Sequence, residues 1–198
     1  MNTAENSPLT SDAVDEYLRR YVDIAAAMSA DRIIVHAGYH FTTDEEIRRE
    51  VSIDRLDRFL SYAETQDVDL LLENMNPEPD DAEVHYLCST LTDCQRYFDE
   101  LDSPNLKWAF NPAHAHLADA GINAFISELD LERCCEVRLN DNRGIKEEHL
   151  MPGHGTIDFE SLFSQLEEHG YDGPYTIALG SIDEMFEGID RLVEAAPS

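Results

Sequence analysis

Val68-Asp-Leu-Leu-Leu-Glu-Asn-Met75 is a short apolar run that stops at a carboxylate and an amide. A run of this length between polar residues reads as a buried strand, with Glu73 and Asn74 where the strand ends. The same figure recurs along the chain. Arg32-Ile-Ile-Val-His36 closes on a histidine, and Leu106-Lys-Trp-Ala-Phe-Asn111 closes on an amide with His114 and His116 just beyond. Glu136-Val-Arg-Leu-Asn140 leads into Asp141 and Asn142, whereas Tyr175-Thr-Ile-Ala-Leu179 ends on Gly180. In parallel α/β proteins the C-terminal strand edge is where ligands bind, so these polar ends point to one shared site.

Between the strands lie amphipathic segments. Ser11 or Asp12 is positioned to cap a helix carrying Val14, Leu18, Tyr21, Val22 and Ala25. Thr42 or Thr43 is positioned to cap a second helix, with Thr43 and Glu46 at capping-box spacing and Ile47, Val51, Leu56, Phe59, Leu60 and Ala63 as its apolar positions. Further helices are expected over 92–101, 121–129, 159–168 and 183–195, and Asn76-Pro-Glu-Pro-Asp-Asp reads as a loop. Residues 1–10 read as a flexible N-terminus, and 11–198 as a single domain. The strict alternation of strand and helix implies βαβ units and a parallel sheet. Five strands can be counted, too few for a full eight-stranded barrel, which takes about 250 residues.

The chain has 198 residues with 42 acidic against 14 basic side chains, a formal net charge of -28, and only two lysines, Lys107 and Lys146. The acids are spread throughout, so any one cluster reads as a solvated face. Such a surface repels itself until salt screens it, which points to adaptation to high intracellular salt. It argues against nucleic acid as a partner, since phosphate binding needs a basic surface. No segment approaches the roughly 18 apolar residues of a membrane span, and the N-terminus lacks the pattern of a signal peptide; a cytoplasmic location is the expectation. Cys88, Cys94, Cys134 and Cys135 lack zinc-ligand spacing and read as reduced thiols.

Five motifs stand in order: Val35-His-Ala-Gly38, Leu72-Glu-Asn74, Asn111-Pro-Ala-His-Ala-His116, Arg138-Leu-Asn-Asp-Asn142 and Pro152-Gly-His-Gly-Thr-Ile-Asp-Phe159. Gly170-Tyr-Asp-Gly-Pro-Tyr175 follows them. Each is weak alone, but their order and spacing resemble the sugar phosphate isomerase/epimerase group of xylose-isomerase-like TIM barrels, related to the AP endonucleases, over roughly residues 11–195. The family's first two strands have no counterpart, so the chain resembles an N-terminally shortened, incomplete barrel of about five to six strands.

The resemblance implies a divalent metal (zinc, manganese or magnesium) at the strand ends, polarising a sugar carbonyl and hydroxyl while carboxylates move a proton between adjacent carbons. Glu73 matches a ligand of that family. The other ligand positions are replaced: Asn111 stands for an Asp, Arg138 and Asn140 for two histidines, Gly180 for a Glu. The resemblance to the AP endonucleases adds His36, His114 and the Glu147-Glu-His149 segment, so the candidate metal ligands are His36, Glu73, His114 and His149. The catalytic candidates are Glu73 as base and His114 as acid or ligand. Asn111, Arg138, Asn140, Arg143 and His154 are the candidates for binding hydroxyls or a phosphate. Plainer alternatives stay open: His36 bonded to a neighbouring loop, His114 and His116 at a helix start, His149 and His154 in solvent. A carboxylate behind three leucines needs a partner, and Arg138, inward-facing by alternation, is the one expected to pair with Glu73 in place of a metal.

Two functional classes follow. One is an isomerase-like protein binding a small sugar or polyol at a degraded metal site. The other is a non-catalytic barrel module acting as a binding or subunit-like protein. An exposed sheet edge invites association, so a homodimer covering the open barrel edge is expected.

Overall fold

The computed structural model describes residues 2–41, 43–177 and 181–196. Five parallel strands form one curled sheet in the order β1 (Arg32–Val35), β3 (Asp69–Glu73), β5 (Leu106–Phe110), β6 (Cys134–Leu139), β7 (Tyr175–Ile177). The result is a half-barrel, an incomplete TIM barrel. Residues 178–180, including Gly180, lie outside the described residues, so its expected place at a strand end is not described.

Alternation sorts the strand residues. Leu70, Leu72, Leu106, Trp108, Phe110, Val137 and Leu139 face the helices and make the core. The intervening set (Asp69, Leu71 and Glu73; Lys107 and Ala109; Glu136 and Arg138) faces the concave side. A β-bulge between Trp108 and Ala109 resets the register onto β6. At the N-terminal end of the strands Arg32 reaches across the curve from β1, its Nη1 donating to the Cys135 carbonyl at 3.2 Å.

The helices α1 (Ser11–Ala27), α2 (Glu45–Glu64), α3 (Leu91–Glu100), α4 (Pro112–Leu117), α5 (Gly121–Glu128), α6 (Phe159–Glu168) and α7 (Ile182–Ala195) connect the strands. None among the described residues is long and apolar enough to cross a membrane. Two short strands escape the sequence pattern: β2 (Tyr39–Phe41) and β4 (Val84–Tyr86) form an antiparallel ribbon, with the His40 and His85 rings stacked at 5.5 Å.

Three local expectations are corrected. The helix starts differ. Thr10 precedes α1 without a side-chain cap, and the Ser11 hydroxyl instead accepts from Arg55 at 2.6 Å. The Thr43–Glu46 capping box is absent. Asp44 precedes α2 and spends its carboxylate on the Phe41 amide and Arg48, while Glu46 binds Arg49 and Arg96. Thr42 lies outside the described residues. The face that α2 buries begins with Arg48, Arg49, Ser52 and Arg55, and Ile47 is 57% exposed.

The N-terminal segment, expected to hang loose, is packed. Asn2, Thr3 and Ala4 are buried. Thr3 Oγ1 donates to the His36 carbonyl at 2.7 Å and Asn2 Nδ2 to that of Tyr39 at 3.2 Å. Arg55, 2% exposed, ties down the carbonyls of Thr3 and Glu5 and pairs with Asp15 at 2.5 Å. Gly38 permits this approach: at φ +102° it bears no Cβ, which would meet Asn2 Oδ1 at 2.5 Å. The cysteines are free thiols, Cys88, Cys94 and Cys134 being buried.

Candidate functional site

The polar strand ends converge. His36, Glu73, Asn111, His114, Arg138, Asn140, Glu147 and His149 all line one cleft of about 480 Å3 at the C-terminal edge of the sheet. Glu73 is its centre. Its Oε1 accepts from Asn111 Nδ2 at 2.9 Å, and its Oε2 lies 3.2 Å from His36 Nε2 and 3.3 Å from Arg138 Nε. Arg138 also donates from Nη1 to Glu136 Oε1 at 3.0 Å. The expected Arg138–Glu73 ion pair is therefore present. Burial alone would push the Glu73 carboxyl upward. The bond from His36, the charge of Arg138, His114 and the Asn111 bond outweigh it and hold the carboxyl down at about 2.

Two asparagines brace this centre. Asn74 Nδ2 donates to the Asn111 carbonyl at 3.0 Å, and the Asn111 amide returns a bond to Asn74 Oδ1 at 2.8 Å. Asn111 also caps α4, its Oδ1 accepting from the amides of Ala113 and His114. Pro112 follows at the first helical position, where no amide proton is needed.

His114 is buried, with Nδ1 2.7 Å from the Asn74 carbonyl, which assigns the ring proton to Nδ1. Burial lowers its basicity against the opposing pull of Glu73 and leaves the ring neutral. Its bare Nε2 accepts from Asn111 Nδ2 at 3.3 Å and faces Glu147 Oε2 at 3.4 Å. Two acceptors thus confront each other with no proton between them. Among the described residues, Glu147 Oε2 and Asn140 Oδ1 are buried and lack any hydrogen-bond partner.

Glu147 and His149 reach the cleft through the loop 140–157, which is folded around Asp141. The Asp141 carboxylate accepts from the amides of Asn142, Gly153, Gly155 and Ile157 at 2.8–3.2 Å. Its backbone pairs with Leu150. This explains the Pro152-Gly-His-Gly-Thr-Ile motif: a Cβ on Gly155 would sit 2.2 Å from Asp141 Oδ1. The same fold carries two of the expected ligand-binding residues elsewhere. Arg143 is exposed and pairs with Glu148 at 2.6 Å, and His154 is exposed; neither lines the cleft. His116 turns away to Thr156 Oγ1 at 3.0 Å.

Sequence reasoning passed over Asn76, Glu78 and Tyr86, which also line the cleft. Glu136, which alternation places on the same strand face as Arg138, was passed over as well. Tyr86 arrives on the β2–β4 ribbon, which left no periodic signal. The candidate metal ligands do not form one centre. Among the described residues no group of three His, Cys, Asp or Glu side chains is arranged to hold an ion. At Glu73 the Arg138 guanidinium stands beside the carboxylate, and a cation does not fit there. His114 Nε2 and Glu147 Oε2 face each other, but Nε2 already accepts from Asn111, so this pair does not fit a divalent ion either.

Comparison with known proteins bears on this geometry. The family model described as xylose isomerase-like TIM barrel matches residues 2–195. Fructoselysine 3-epimerase of Shigella flexneri is 24% identical over 176 residues, covering 83% of this chain, which spans only 61% of that enzyme. The crystal structure of a D-tagatose 3-epimerase-like protein superposes with a TM-score of 0.86 at 25% identity, over 98% of this chain and 73% of that one. The IolI protein, solved with a zinc atom, superposes at 0.75 and 15% identity, over 96% and 70%. The chain is a member of the xylose isomerase-like TIM barrel family.

Proposed function

We propose that this chain binds a small sugar or polyol in the cleft above Glu73, and that Glu73 serves there as a fixed negative charge rather than as a proton shuttle. One observation carries the reading. In the wall of this cleft, Asn140 Oδ1 and Glu147 Oε2 are buried and, among the described residues, unpartnered. Buried acceptors without donors are costly, and the hydroxyls of a polyol supply donors. The cleft volume suits a small ligand, and the epimerase relative and structural neighbour act on or are named for sugars.

The state of Glu73 favours binding over turnover. A carboxylate held at about 2 by four neighbours is a weak proton acceptor, far from the near-neutral value that suits a general base. Asn140 and Glu147 accept from hydroxyls, and Asn111 and Asn74 keep Glu73 and His114 in place.

The test is D-tagatose and D-allulose in about 2 M KCl, to screen the acidic surface, with three readouts: titration calorimetry, metal content per chain, and deuterium wash-in at the C3 position in D2O. Saturable binding that Asn140→Ala and Glu147→Gln abolish, with no wash-in, is the expected result. Absence of saturable binding by any sugar or polyol would refute the binding reading. Wash-in that Glu73→Gln abolishes would refute the fixed-charge role and restore an epimerase.

A further inference from the structure

The two edges of the half-barrel carry matching apolar stripes. On α1 and its C-terminal cap, beside edge strand β1, Tyr17, Tyr21, Ile24 and Met28 are exposed. On α7, beside edge strand β7, Ile182, Phe186, Ile189 and Val193 are exposed. Both sets follow the same spacing (i, i+4, i+7, i+11), which is one continuous helix face. Each stripe borders an apolar groove that runs to its edge strand: about 440 Å3 against Ile33 and Val35 of β1, and about 540 Å3 against Tyr175 and Ile177 of β7.

Core-facing residues of these helices, Leu18 and Val22 on α1 and Leu192 on α7, are already buried. The exposed stripes are therefore second apolar faces, not the ones that hold each helix to its sheet. With exposures from 45% to 75%, eight side chains of this size offer on the order of 1,000 Å2 per chain. The largest apolar patch of a monomer is roughly 300–600 Å2, and a stable interface needs about 800 Å2 from each partner.

We infer that the occupant of both faces is a second copy of this chain. One copy already carries both halves of the contact. In a parallel sheet the outer edge of β1 and the outer edge of β7 are a left and a right edge, so β7 of one copy can continue the sheet at β1 of the other in the same direction. Placing α7 on α1 in the same step packs stripe on stripe. A two-fold axis along the strands repeats this at the other edge, and both edges of both copies are covered at once. The helices are also acidic outside their stripes, with Asp12, Asp15, Glu16 and Asp23 on α1 and Asp183, Glu184, Glu187, Asp190 and Glu194 on α7. Association therefore strengthens as salt screens those charges.

Sedimentation velocity on the full chain, over a concentration series at about 0.2 M and about 3 M KCl, tests this. A dimer that tightens at high salt is expected. Tyr21→Glu and Phe186→Glu, both at exposed positions, should each weaken it at least about thirty-fold, as loss of a buried aromatic anchor does, while circular dichroism stays native. An equimolar mixture of the two variants regains one intact contact and should associate more tightly than either alone. A monomer at every salt and concentration would assign the two faces to some other chain and overturn the inference. So would a dimer that survives either substitution, because an edge-to-edge contact needs both helices. Sugar binding is read separately by calorimetry, so failure here leaves the reading of the cleft unaffected.

Discussion

Glu73 shows how a buried carboxylate is kept charged by its neighbours. Asn111 in place of a carboxylate gives it a donor, and Arg138 gives it a counter-charge at 3.3 Å. Its folded value of about 2 lies below the 4.5 of a free glutamate. A depressed carboxyl stabilises the fold above its free value, and that contribution fades as pH falls from 4.5 toward 2. The difference corresponds to on the order of 3 kcal/mol. His114 acts in the same direction but earlier. Burial lowers its value from 6.5, so the unfolded chain takes up a proton near that pH that the folded chain refuses. Stability to urea at constant salt should therefore decline in two stages as pH falls, first near 6.5 and then between 4.5 and 2. In Glu73→Gln the second stage should shrink by that amount, leaving the part due to other depressed carboxylates such as Asp15 and Asp44, and stability at neutral pH should drop by up to about 3 kcal/mol. An unchanged acid limb in that variant would remove Glu73 from its proposed electrostatic role.

At the scale of elements, what the sequence revealed depended on how each part is held. Strands β1, β3, β5 and β6 were legible because each is a short apolar run that closes on a polar residue, His36, Glu73, Asn111 or Asn140, and the candidate site followed because ligands gather where such strands end. The start of α2 was not legible, since its buried face is built of Arg48, Arg49 and Arg55, and buried arginines look like surface in a string of letters. The β2–β4 ribbon is three residues a side, too short for a period. The packing of Asn2–Ala4 rests on side chains bonded to carbonyls, which leaves no pattern. The loop 140–157 misled for a related reason. Its organiser, Asp141, bonds to backbone amides, so nothing marked it apart from Asn140 and Asn142, and Arg143 and His154 were read into a cleft they do not line. That loop gives a direct test. Gly155→Ala places a methyl 2.2 Å from Asp141 Oδ1 and Asn142 O, so the carboxylate must give up amides it now binds. A loss of about 1–3 kcal/mol is expected, with faster hydrogen exchange over 141–157 and lost sugar binding as Glu147 and His149 drift. The acid limb due to Glu73 should persist, because β3, β5 and β6 do not depend on the loop.

For the molecule as a whole, net charge and shape act together. With a surplus of 28 negative charges, compaction costs self-repulsion that salt relieves. The urea midpoint should rise steadily between about 0.2 M and 3 M KCl, and a midpoint indifferent to KCl would refute adaptation to a saline interior. Shape poses the other question: what keeps five strands curved when no ring of strands is closed around them. Arg32 supplies an answer. Its bond to the Cys135 carbonyl runs along the chord of the arc, from the first strand to the fourth, like a tie between the feet of an arch. The bend is then a property the chain carries by itself, and whatever meets its two flanks finds the vault already sprung.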